Sequence, residues 1–259
     1  MKALLRRIYS DYGMPSRLAT HEKLICAGHS AGFIQTSVRD FFDTMKSGHS
    51  SASKFIVHRH DIDTDLRTTR KMFDIEKKQG IRSSYYFRLS TLDFDLMREI
   101  EEYGSEASYH FEELAAFAKK HKIKDPALVK SRLPEIRELF RENFTWIERQ
   151  LGRKMRTVAS HGDFANRRLK LNNAEILADK QLRKDCGIDC EAYDSALLNH
   201  VGIYIADRPP PLYYCPASPF DVINKHHRIC LVTHPRQVET NWKENTKANL
   251  FRFYEDVIW

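Results

Sequence analysis

Residues 55–63 read Phe55-Ile56-Val57-His58-Arg59-His60-Asp61-Ile62-Asp63, an apolar strand that runs straight into a cluster of ionisable groups. Side chains alternate across a strand, so Asp61 and Asp63 share one face while His58 and His60 share the other. Two carboxylates on one face at the carboxyl end of a strand allow a division of labour. One holds a cation, and the other takes a proton from a water that the cation polarises. The competing structural reading has Asp63 or Asp65 capping the helix that follows.

The same pattern recurs further along. Tyr109-His110-Phe111-Glu112-Glu113, Ser160-His161-Gly162-Asp163 and Thr233-His234-Pro235 each close a short β-rich run. A single histidine in such a place is more often a core or surface residue than a ligand. Four strand ends that each deliver His or Asp point to one site, because α/β barrels build active sites at the carboxyl ends of their strands.

Around these segments, β-rich runs alternate with helical ones from about residue 54 onward. The expected strands cover 54–59, 83–88, 107–111, 157–160, 186–192, 202–206 and 228–233. Helices are expected over 66–79, 93–103, 112–120, 127–150 and 173–183. In the helix over 127–150, Leu133, Ile136, Phe140, Phe144, Ile147 and Leu151 recur at three- and four-residue spacing and make one core-facing stripe. Pro134 marks a start or a break there. Alternation of this kind predicts a parallel α/β architecture. In the first fifty residues only 37–46 reads clearly as an amphipathic helix. Residues 1–50 are therefore expected to be a helical cover packed on a single barrel domain of residues 51–259.

Composition excludes several classes. The chain has 259 residues, 42% of them hydrophobic and 30% charged, which suits one soluble globular domain. No apolar run approaches the ~18 residues of a membrane span. The start, Met1-Lys2-Ala3-Leu4-Leu5-Arg6-Arg7, lacks the apolar core of a secretory signal, so a cytoplasmic location is expected. Five scattered cysteines argue for reduced thiols over a disulfide framework or a cysteine-based metal site. The net charge of +7 is spread among acids, as in Arg137-Glu138 and Arg141-Glu142, and no nucleic-acid motif is present. An anionic or nucleotide-linked substrate is compatible with that charge.

The order Arg59-His60-Asp61-Ile62-Asp63, then a strand ending in Phe87-Arg88, then G-x-E-x-x-Y-H-x-E over 104–112, then L-x-x-H-P over 231–235, resembles the polysaccharide deacetylase superfamily (carbohydrate esterase family four, NodB-like). It looks most similar to the branch of deacetylase-like proteins associated with bacterial surface-polysaccharide synthesis, of O-antigen, lipopolysaccharide or capsule. The resemblance is strong over residues 54–115, patchy over 155–236 and weak before 50. It implies a distorted (β/α)7 barrel, a divalent metal that is usually Zn2+, and removal of acetyl groups from an acetylated carbohydrate. Without a secretory signal, a small acetylated sugar, nucleotide- or lipid-linked, is the expected substrate in place of a mature cell-wall polymer. By position, Asp61 matches the catalytic base, Asp63 the metal-binding aspartate, His110 the first metal-binding histidine and His234 the general acid. The family has a second histidine four residues after the first, where this chain has Leu114. His161 is the candidate replacement ligand, with Glu112 or Glu113 next. Arg59, Arg88 and Asp163 are expected either to orient Asp61 and the histidines through hydrogen bonds or to form fold-stabilising ion pairs. The alternative reading is an inactive deacetylase-fold protein that binds a sugar or a partner.

Overall fold

All eight residues of the strand Phe55–Ile62 are buried, and neighbours flank both of its edges. The computed structural model describes residues 2–48 and 53–259, and the expected boundary between residues 50 and 51 lies outside them. Nine strands form one sheet: β1 (Ile34–Thr36), β2 (Phe55–Ile62), β3 (Ser84–Phe87), β4 (Glu106–Phe111), β5 (Thr157–Ser160), β6 (Cys190–Glu191), β7 (Ile203–Asp207), β8 (Tyr214–Cys215) and β9 (Arg228–Thr233). The spatial order is β6-β5-β4-β3-β2-β9-β7-β8, with β1 also paired to β2. β1 takes the first half of one β2 edge and β3 the second half. Every pairing is parallel except the β7–β8 hairpin.

The sheet curls on itself. Val57 of β2, Tyr86 of β3, Ala159 of β5, Cys190 of β6 and Val232 of β9 share one apolar cluster, although β6 and β9 stand far apart in the strand order. The helix Val38–Lys46 closes the lower end of this interior with Val38, Phe41 and Met45. It meets the first residues of three strands: Phe41 packs on Phe55, the Val38 N–H donates to Ser84 Oγ at 2.7 Å, and the Arg39 N–H donates to Glu106. The carboxyl ends of the strands open at the other end.

β5, β9 and the helix Leu66–Gln79 occupy the expected residues. Three expectations need correction. The helix over 173–183 is a 3-10 segment, Asn173–Ala178, and a separate helix, Lys180–Cys186, which Asp179 caps. The run over 186–192 is strand only at Cys190–Glu191, because Cys186 ends the helix Lys180–Cys186 and Gly187 caps it with a left-handed φ of 67°. The helix over 127–150 is two, Pro126–Ser131 and Leu133–Leu151. Pro134 sits in the first turn of the second, where its missing N–H costs nothing. Strand β1 and the helices Leu18–Ser30 and Trp242–Ile258 were not expected. Among the described residues no helix is long and apolar enough to cross a membrane, and all five cysteines are free.

The outward face of β2 carries a buried polar network. His60 Nε2 lies 2.7 Å from Glu76 Oε1, and His21 Nε2 lies 2.9 Å from the same oxygen. The Tyr85 hydroxyl donates to the other Glu76 oxygen, and His60 Nδ1 meets Thr233 Oγ1 at 2.6 Å. His58 Nε2 sits 2.9 Å from Gln35 Oε1, whose amide is itself anchored on the Ile25 carbonyl. Burial pushes the His58 imidazole down to about 3, outweighing the attraction of Glu76, so it is neutral in the folded protein.

That depression has a sign. Between the ordinary histidine pKa of about 6.5 and the folded value, the unfolded chain binds a proton that the native chain refuses. Stability therefore falls as pH falls through this window. Urea unfolding at about pH 7 and about pH 4.5 should show a smaller acid loss in His58→Gln than in wild type, and an equal loss in both would contradict the assignment.

Candidate active site

β2 ends at Ile62, and the next two acids divide the work. Asp65 caps the helix Leu66–Gln79, accepting from the Thr68 N–H, and Asn241 Nδ2 donates to it at 2.7 Å. It does so with a φ of 60°, a left-handed conformation uncommon for aspartate. The capping alternative thus falls on Asp65, and the Asp63 carboxylate turns to the strand ends. Its Oδ1 lies 3.4 Å from His110 Nε2 and 3.5 Å from His161 Nε2, and its Oδ2 lies 4.0 Å from His234 Nε2. His110 is in the last turn of pleat of β4, and His161 and His234 directly follow β5 and β9. The His161 N–H donates to the Phe111 carbonyl at 2.9 Å, which carries the β4–β5 ladder past the strand end and sets the two imidazoles 5.1 Å apart.

One ligand atom each from Asp63, His110 and His161 lies within 4.8 Å of the others. The ring orientations suit a cation. His110 Nδ1 is 3.0 Å from the Ala159 carbonyl, which only accepts, so Nδ1 carries a proton and Nε2 is the ring atom turned toward Asp63. His161 Nδ1 likewise faces Glu112 Oε2 at 3.1 Å. Asp63 Oδ1 is buried without a hydrogen-bond partner among the described residues. A carboxylate lone pair and two imidazole lone pairs facing one point demand positive charge, from a cation or from a proton on an imidazole. Burial pushes His161 down, but the Asp63 carboxylate outweighs it and lifts the imidazole to about 9. Burial raises Asp63, and His161, His110 and His234 together hold it well below the usual carboxylate range.

Two further groups are held ready beside this centre. Asp61 takes a two-pronged ion pair from Arg59, with Nε to Oδ1 and Nη2 to Oδ2 both at 2.8 Å. Arg59 is fully buried, and its guanidinium lies 4.4 Å over the Tyr193 ring and donates to the Tyr193 hydroxyl at 3.1 Å. Burial raises the Asp61 pKa, but Arg59 and His110 outweigh it and keep the carboxylate ionised. His234 is gripped by Asp207, which accepts from Nδ1 and from the His234 backbone N–H, each at 2.6 Å. Burial pushes this imidazole down, yet Asp207, with Asp63 and Asp61 behind it, raises it to about 10.

The remaining expected residues are placed less centrally. Arg88 touches neither Asp61 nor a histidine; it clamps Glu112 with contacts of 3.0, 2.7 and 2.7 Å, and Glu112 in turn faces His161. Burial raises Glu112, but His161 and Arg88 pull it down to about 2. The Asp163 carboxylate accepts from the Ala165 N–H at 2.7 Å and from Lys119 at 3.0 Å, so it caps a helix and pairs an ion before it orients anything. It also forms a second candidate ligand group with Glu112 and His161. Glu113 turns away to the Tyr109 hydroxyl and Asn143, and Leu114 is fully buried in the apolar core. Asp207 and Tyr193 were not anticipated. Asp207 closes β7, so the rule that singled out the other strand ends applies to it as well.

No family model matches the chain, and no curated protein matches it. Among solved structures it is similar to Streptococcus pyogenes deacetylase PplD in complex with acetate, at 12% identity and a TM-score of 0.41, over 59% of this chain and 68% of that one.

The Arg59–Asp61 pair is testable apart from any activity. Arg59→Met leaves Asp61 charged, buried and unpaired, and should cost about 3–5 kcal/mol in urea unfolding. Arg59→Met with Asp61→Leu should recover most of that loss. A double variant no more stable than the single one would contradict the pairing.

Proposed function

We propose that this chain is a divalent-metal-dependent hydrolase that removes an acetyl group from an acetylated sugar in surface-polysaccharide synthesis. The observation that carries the reading is the convergence of Asp63, His110 and His161 on one point, with Asp61 and His234 on either side and each braced by its own partner. The acetylated sugar as substrate is supported by the resemblance of the motifs around Asp61, His110 and His234. Imidazole nitrogens with one carboxylate suit zinc. In this reading the curled sheet is a distorted (β/α)7 barrel of residues 51–259, and residues 1–50 supply its cover.

A cation held by Asp63, His110 and His161 would polarise the acetyl carbonyl and the attacking water as a Lewis acid. Asp61, ionised and fixed by Arg59, accepts the proton of that water as it attacks. Arg59 holds the carboxylate in one orientation through the transfer, and its charge keeps Asp61 a mild base that releases the proton readily. His234 carries a proton at neutral pH because Asp207 faces its Nδ1, and its Nε2–H is free to protonate the departing amine or alcohol. Glu112, clamped by Arg88, keeps the His161 ring turned to the centre.

Acetate release from acetylated amino sugars should be abolished by a chelator, restored by zinc, and lowered about 10²–10⁴-fold by Asp61→Asn. Release that ignores the chelator, or that survives Asp61→Asn at the wild-type rate, would sink the mechanism. A metal-loaded protein that binds sugars and releases no acetate would favour a binding role.

A further inference from the structure

Asp63 and His234 do not open onto neutral surroundings. They line a cleft of about 540 Å³ whose remaining wall carries five arginines, Arg6, Arg7, Arg208, Arg236 and Arg252. Three carboxylates line the same cleft, and each is engaged. Asp63 faces the histidines and Asp207 holds His234. Asp11 is taken by Arg236 at 2.6 Å and by Arg7 at 3.6 Å. Arg6, Arg208 and Arg252 are left with no ion-pair or hydrogen-bond partner for their guanidinium groups among the described residues. They come from three distant places in the chain: the first helix, the residue after β7, and the last helix. Arg252 also stands near Arg7, Arg167 and Arg236, with Asp163 the acidic group that faces it and Asp163 itself already paired to Lys119, so positive charge is in excess at the mouth.

We propose that this cleft takes a phosphorylated acetyl sugar, with Arg6, Arg208 and Arg252 binding its phosphate or diphosphate group. A single carboxylate is satisfied by one guanidinium, whereas several unpaired guanidiniums around one cleft suit a polyanion. A basic wall beside a catalytic centre also concentrates an anionic substrate there. The inference rests on the deacetylase reading for the sugar alone; the anion site stands on the cleft itself. The phosphate is carried by either a nucleotide or a lipid, and both present the same group to the arginines.

The test is calorimetric titration of inorganic pyrophosphate into wild type, with and without a chelator, and into the Arg208→Gln/Arg252→Gln pair, at low and raised salt. Wild type should bind pyrophosphate, the arginine pair should weaken binding by about tenfold or more, and added salt should weaken it further. Binding should be the same with and without the chelator, which separates the arginines from any metal. Uridine diphosphate binding tighter than pyrophosphate identifies a nucleotide carrier, and farnesyl phosphate binding tighter identifies a lipid one. No binding by wild type, unchanged binding in the arginine pair, or loss of binding under the chelator overturns the site. If pyrophosphate binds as expected while acetate release fails, the hydrolase reading alone falls.

Discussion

A strand buried along its whole length that carries His58, Arg59, His60 and Asp61 must supply a partner for each polar group it takes inside. An unpaired charge in that position costs several kcal/mol, and an unpaired neutral polar group costs less but still destabilises. The surrounding structure gives each of these side chains at least one partner, with His58 Nδ1 and Arg59 Nη1 left without one among the described residues. On the inner face Arg59 and Asp61 neutralise each other two residues apart, and Tyr193 covers the guanidinium. On the outer face Glu76 from the following helix meets His60 and His21, while Gln35 from β1 meets His58. The helices Leu18–Ser30 and Leu66–Gln79 are thereby pinned to the same strand by polar contacts as well as by apolar packing.

This pairing fixes what the strand's end can do. With Asp61 committed to Arg59 and Asp65 committed to the helix cap, Asp63 is the carboxylate left facing the ends of β4, β5 and β9. Parallel strands place those ends side by side, so residues distant in sequence meet without any long loop. The electrostatics of the pocket follow from the same arrangement. A half-buried carboxylate among three imidazoles favours positive charge at the centre, and it also favours a protonated His234, which Asp207 reinforces. One side of the centre is therefore suited to a cation and the other to proton donation.

Much of this was legible in the residues. Alternation along 55–63 separated Asp61 and Asp63 from His58 and His60, and the structure keeps that separation, with both aspartates facing His110. Strand ends closed by histidine or aspartate brought Asp63, His110, His161 and His234 together in sequence terms before any geometry was available. The rule failed where it was not applied, at Asp207, whose run 202–206 was read one residue short. For Arg88 and Asp163 the sequence left a positioning role and an ion pair both open, because a side chain's choice among neighbours, here Glu112 for Arg88 and Lys119 for Asp163, depends on packing that periodicity does not encode. The first fifty residues were the least legible, since β1 is three residues long and gains its stability from pairing with β2 rather than from its own pattern.

The central claim is that His161, from the end of β5, completes a three-ligand cation site with Asp63 and His110. An X-ray absorption spectrum of the zinc-loaded protein beside that of His161→Ala tests it most directly. The account predicts a shell at about 2.0–2.1 Å with two imidazoles in wild type and one in the variant. An identical imidazole count in the two proteins, or thiolate sulfur in the shell, would contradict it.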